Sequence, residues 1–112
     1  MGIGDPNSRR LERRWAPRYR FRASLEIEWG SAKLRASTRD VSSNGMFIES
    51  PDPLWVGAGF TARLELDRPV DVNCFVKRVE PGQGMGVAVS FPEEQQGTYQ
   101  QLIARLSQSQ PG

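Results

Sequence analysis

Tyr19-Arg20-Phe21-Arg22-Ala23-Ser24-Leu25-Glu26-Ile27-Glu28-Trp29 is the stretch that decides the fold. Phe21, Ala23, Leu25, Ile27 and Trp29 fall on one side of an extended chain, and charged or small polar residues fall on the other. Period-two alternation of this kind marks a strand with one face in a core and one in water. The pattern repeats downstream. Gly30-Ser31 makes a turn, and Leu34, Ala36 and Thr38 continue a second strand. Met46–Ser50 is a short third strand, and Phe60, Ala62, Leu64 and Leu66 alternate in a fourth. Val70, Val72, Cys74 and Val76 lead a fifth that runs on to Val79, and Met85, Val87, Val89 and Phe91 make the last. Strands that are short, amphipathic and evenly spaced predict a small closed or nearly closed antiparallel barrel.

Two segments interrupt the alternation. Pro51–Gly59 is a loop rich in proline and glycine, whose Leu54, Trp55 and Val56 are expected to plug one end of the barrel; Trp29 is placed in the core or at a barrel end. After Pro92, Tyr99, Leu102, Ile103 and Leu106 follow helical spacing, with Glu93 and Glu94 near the positive end of the helix dipole. That helix is expected to pack on the barrel or cap an opening, and to fray from Ser107 onward. Gly82–Gly86 reads as a hairpin turn, because no helix follows to make it a phosphate loop.

The chain has 112 residues, enough for one domain. No apolar run is long enough to cross a bilayer, and no apolar leader begins the chain, so no membrane insertion is expected. Cys74 is the only cysteine, which fits a reduced, cytoplasmic setting and a small buried hydrophobe. With no histidine, no convincing carboxylate pair and no cluster of metal ligands, the chain does not read as an enzyme, and neither cofactor nor metal is expected.

Charge is uneven. Residues 9–22 hold seven arginines against Glu12 alone, while residues 23–112 hold 8 basic and 11 acidic side chains. A basic arm at 9–18 thus precedes a mildly acidic body. Met1–Ser8 has no hydrophobic pattern and is read as a vector-encoded or disordered tail, outside the barrel-plus-helix unit of residues 19–107.

Two motifs carry the chemistry. Arg13-Arg14-Trp15-Ala16-Pro17-Arg18 is an RRxxxR run, and Asp40-Val41-Ser42-Ser43-Asn44-Gly45 is a DxSxxG turn. An arginine fork binds phosphate, or the O6/N7 edge of guanine, with paired hydrogen bonds. Asp40 offers an acceptor for guanine N1–H and N2–H. Ser42 bonds a base or holds the turn, and Gly45 permits positive φ or close backbone approach. Trp15 stacks on a base or anchors the arm on the barrel. Taken singly, the arginines could be a solvated basic arm and DxSxxG a bare turn.

In this order, with the strands that follow, the two motifs make the chain resemble the PilZ family of cyclic di-GMP receptors. The resemblance covers about residues 13–106 and includes Gly57-Ala58-Gly59 and the closing Gly84-Met85-Gly86-Val87-Ala88-Val89-Ser90-Phe91. It implies a mainly β fold, a six-stranded antiparallel PilZ-type barrel with a C-terminal helix and a flexible basic N-terminal arm. It also implies a ligand, cyclic di-GMP, bound by Arg14 and Arg18 and by Asp40, Ser42 and Gly45. Arg13 would favour an intercalated dimer of that ligand. Arm closure would then signal to a downstream protein or attached domain in a bacterial cytoplasm. The competing classes are a nucleic-acid-binding barrel with a basic arm, disfavoured by the acidic body, and a protein-interaction module of the same fold.

Overall fold

The computed structural model describes residues 16–110. The tail, most of the basic arm, and with them Arg13, Arg14 and Trp15, lie outside the described residues. Seven strands and one helix follow in order: β1 Tyr19–Arg20, β2 Ser24–Trp29, β3 Ala32–Ser42, β4 Gly45–Glu49, β5 Gly59–Leu64, β6 Val70–Glu80, β7 Gly84–Ser90 and α1 Glu93–Ser109. Every strand pairing is antiparallel. The sheet runs β1-β3-β2-β5-β6-β7-β4, and β4 pairs back onto β3. The ring β3-β2-β5-β6-β7-β4 is therefore a closed six-stranded barrel, as the alternation predicts. Closure leaves no free sheet edge around the ring.

The expected first strand is split. β1 and β2 lie along the same side of β3, with Arg20 opposite Asp40 and Ser24 opposite Ser37. Three residues, Phe21–Ala23, thus face only Thr38 and Arg39, which leaves one residue extra. Thr38 stitches the gap: its hydroxyl accepts from Ala23 N–H at 2.9 Å and donates to the Phe21 carbonyl. β3 carries its own extra residue against β4, between Thr38 and Asp40, and β6 carries one against β7, between Val76 and Arg78. Such bulges bend the strand and re-aim side chains.

The core is aliphatic. Leu25, Ile27, Val41, Met46, Ile48, Leu64, Val70, Val72, Val76 and Met85 are almost fully buried. Each large apolar side chain so buried contributes about 1.5–3 kcal/mol. Cys74 belongs to this interior, and burial pushes its thiol pKa up from 9.0 to about 12. Tyr99 and Leu102 of α1 close one end of the barrel, with the Tyr99 ring 4.4 Å from that of Phe91.

Two expectations need correction, and a third is resolved. Of the three apolar residues expected to plug the barrel, only Leu54 is buried; Trp55 and Val56 are 59% and 60% exposed. Trp29 takes the second of its two expected places, the barrel end, where it meets Trp55 edge to face with centroids 5.1 Å apart. The helix does not fray at Ser107. It runs to Ser109, and Gln110 closes its last turn by donating its N–H to the Leu106 carbonyl at 2.8 Å. No helix among the described residues is long and apolar enough to cross a membrane.

Candidate functional site

The DxSxxG turn joins β3 to β4 and is fixed from three directions. Ser42 is buried, and its hydroxyl contacts Asn44 Oδ1 at 3.0 Å and the Gly45 carbonyl at 3.3 Å. Of the two roles left open by the sequence, the hydroxyl is thus engaged in holding the turn. From α1, the Tyr99 hydroxyl donates to the carbonyls of Ser42 at 2.7 Å and Gly45 at 3.3 Å. Burial raises the Tyr99 pKa above its ordinary 10.0, so the phenol stays a donor. From β7, the Val87 carbonyl lies 2.7 Å from where a Cβ on Gly45 would sit. Gly45 is therefore required for close approach, and it does not use positive φ.

Strand register sets what lies beside the turn. Arg20, Asp40, Phe47, Gly86 and Arg78 form one row across β1, β3, β4, β7 and β6. Inward residues flank this row, so its side chains face outward. Phe47 lies on this outer face yet is fully buried. The Arg39 guanidinium covers its ring at 3.7 Å and Arg78 approaches it at 5.8 Å. Gly86 leaves room for the Arg78 stem, whose Cγ would sit 3.2 Å from a Cβ there.

The charges over this floor form a chain. Arg18 Nε donates to Asp40 Oδ1 at 2.9 Å, and Arg39 Nε donates to Oδ2 at 3.2 Å. Arg39 also pairs with Glu80 at 3.7 Å, and Glu80 with Arg78 at 3.4 Å. Asp40 is largely covered, with 17% side-chain exposure, while Arg18 is 43% exposed. Two open grooves flank the Asp40 region. One, of about 520 Å³, has Gly45, Gly86 and Ala88 in its lining, Arg18 on one side and Lys77 and Arg78 on the other. The second, of about 570 Å³, is lined by Arg20, Phe21, Arg22, Arg39 and Asp40. Both suit a polyanion: the first sets guanidinium groups around a small-residue floor, and the second gathers Arg20, Arg22 and Arg39 around one opening.

Of the residues predicted from sequence, Arg18, Asp40, Ser42 and Gly45 are brought together, whereas Arg13, Arg14 and Trp15 lie outside the described residues. Sequence reasoning missed Arg39, Lys77 and Arg78. A signal was present in Val76-Lys77-Arg78-Val79, where apolar residues three apart break the two-residue period and betray the bulge. Among the described residues no group of three or more Cys, Asp or Glu side chains could hold a metal ion.

A family model for the PilZ domain matches residues 9–109. The chain belongs to the PilZ domain family. Solved structures share the fold. The inhibitor of motility of Bacillus subtilis, MotI/DgrA, superposes with a TM-score of 0.73 at 14% identity, over 88% of this chain and 53% of that one. The PilZ domain of CeSA from a cellulose-synthesizing bacterium gives 0.64 at 20% identity, over 82% and 99%. PlzA of Borreliella burgdorferi, solved in complex with c-di-GMP, gives 0.63 at 16% identity, over 88% and 43%. This PilZ domain thus spans about half of MotI/DgrA and less than half of PlzA. No curated protein matches it.

Proposed function

We propose that this PilZ domain is a receptor for cyclic di-GMP, with no catalytic step. The observation that supports it best is the 2.9 Å contact between Arg18 and Asp40. It joins the last arginine of RRxxxR to the first residue of DxSxxG across 22 positions of sequence. Family membership and the c-di-GMP complex of PlzA favour the same ligand.

In this reading Asp40 carries both guanidinium groups until ligand arrives. A guanine N1–H and N2–H then compete for the carboxylate, and the released arginines turn to phosphate and to the Hoogsteen edge. Arg13 and Arg14, upstream of Arg18, supply further forks, and Trp15 a stacking face. Ser42 and Gly45 act by shaping the turn. Lys77 and Arg78 offer charge on the far side of the groove, which suits a second, intercalated molecule. The ligand favours the closed arm because only that state presents all the arginines, and closure is the signal to a downstream protein or attached domain.

Calorimetric titration with cyclic di-GMP, with GTP and cyclic di-AMP as controls, tests this. The expected result is saturable binding of cyclic di-GMP alone, at a ratio near two per chain if Arg13 acts as proposed. No heat of binding rejects the function, and a ratio near one rejects the dimer.

A further inference from the structure

The last turn of α1 meets the root of the arm. The Gln110 carboxamide accepts from Arg20 N–H at 3.0 Å and donates to the Arg20 carbonyl at 2.8 Å. It engages both backbone groups of one residue, as a neighbouring strand would. β1 is only two residues long, held along one side by β3. Arg18 stands two residues before this clamp, and Arg20 lies opposite Asp40. Helix and site are therefore joined at two points: Tyr99 under the turn and Gln110 at the arm root.

We propose that Gln110 is a positioning residue for ligand capture: it keeps β1 in register on β3, so that Arg18 is presented over Asp40. This rests on the cyclic di-GMP reading above. Without the clamp the chain before Phe21 samples more arrangements, and apparent affinity falls by the fraction in which the arm is placed. Coupling between two sites is reciprocal. Ligand held by the arm must therefore also hold the end of the helix, Leu106 to Gln110, against β1. The half-buried Gln110 needs no contact with ligand for either effect.

The test compares Gln110→Ala with wild type and with Ser109→Ala. Ser109 donates only within its own helix turn, to the Leu106 carbonyl, so its loss is expected to leave affinity unchanged. Two exposed neutral hydrogen bonds predict a three- to tenfold (order-of-magnitude) weaker Kd for cyclic di-GMP in Gln110→Ala. Amide exchange read by NMR separates positioning from mere stability. In wild type, ligand should slow exchange in residues 106–110; in Gln110→Ala that slowing should vanish, with thermal midpoint and core protection unchanged. Wild-type affinity in Gln110→Ala, or ligand-induced protection that persists in it, overturns the proposal. Failure of wild type itself to bind overturns the receptor reading and this coupling together. Binding by wild type with no change in the variant overturns the coupling alone.

Discussion

The β3–β4 turn and the root of the arm meet at Asp40, but they are held by different forces. The turn rests on buried contacts: the Ser42 hydroxyl, the Tyr99 phenol and the close packing of Gly45 on Val87. The arm root rests on exposed ones: Arg18 on Asp40 and the Gln110 carboxamide on Arg20. Buried hydrogen bonds are costly to lose, because the orphaned partner has no water to turn to. Exposed ion pairs contribute about 0–1 kcal/mol and exchange readily with solvent or ligand. One half of the site is thus pre-organised, and the other is free to respond. On the proposed receptor reading both halves are needed, since a rigid half limits the ordering cost of binding and a responsive half provides the change to be signalled.

The comparison breaks most severely if the rigid half is opened. Gly45→Ala sets a Cβ against a backbone oxygen 2.7 Å away, and β4 must move from β7 to admit it. A loss of about 1–3 kcal/mol in urea denaturation is expected, accompanied by weaker ligand binding. Unchanged stability would show that the turn is softer than its contacts suggest. Arg18→Ala sharpens the contrast from the other side. Losing a charge-assisted contact should weaken cyclic di-GMP binding by about ten- to a hundredfold, read by calorimetry. Stability should change by less than about 0.5 kcal/mol, because the Arg18–Asp40 pair is partly exposed and the core lies elsewhere. A variant that binds normally removes Arg18 from the site; one that unfolds assigns the arm a structural role.

The same contrast explains what was legible in the sequence. Period-two alternation marked every strand of the barrel but β4, because a residue facing the aliphatic interior must be apolar; in β4 Met46, Phe47 and Ile48 are apolar in succession. The two motifs gave Arg18 and the turn, because the chemistry is written in residue types at fixed spacing. What escaped depends on register between strands. The bulges at Arg39 and Lys77 shift parity, so Thr38 and Val41 are both buried though three apart. Phe47 looked like an ordinary strand residue, and only pairing reveals it outside the barrel beneath Arg39. Trp55 and Val56 are apolar without being interior, since a loop has no periodicity to assign a face. The end of α1 was misjudged because Ser107–Gln110 has no apolar stripe; what holds it is a side-chain amide on a backbone 90 positions away.

The smallest effect probes how the helix supports the turn. Tyr99→Phe keeps the ring against Phe91 but deletes the hydroxyl that donates to Ser42 and Gly45. About 1 kcal/mol of stability should be lost at neutral pH, with ligand affinity nearly retained, because Ser42 still closes the turn. The alkaline limb gives a sharper reading. Burial raises the folded pKa of Tyr99 above 10.0, so the unfolded chain releases this proton first. The phenol's contribution is fully present below pH 10 and declines as pH rises past it. The Phe variant lacks that decline, although both proteins share the fall that buried Cys74 imposes from about pH 9 upward. The stability gap between wild type and variant should therefore narrow above pH 10 in urea denaturation. A gap that stays constant with pH would mean that the Tyr99 hydroxyl is not confined under the turn, and the rigid half would then rest on Ser42 and Gly45 alone.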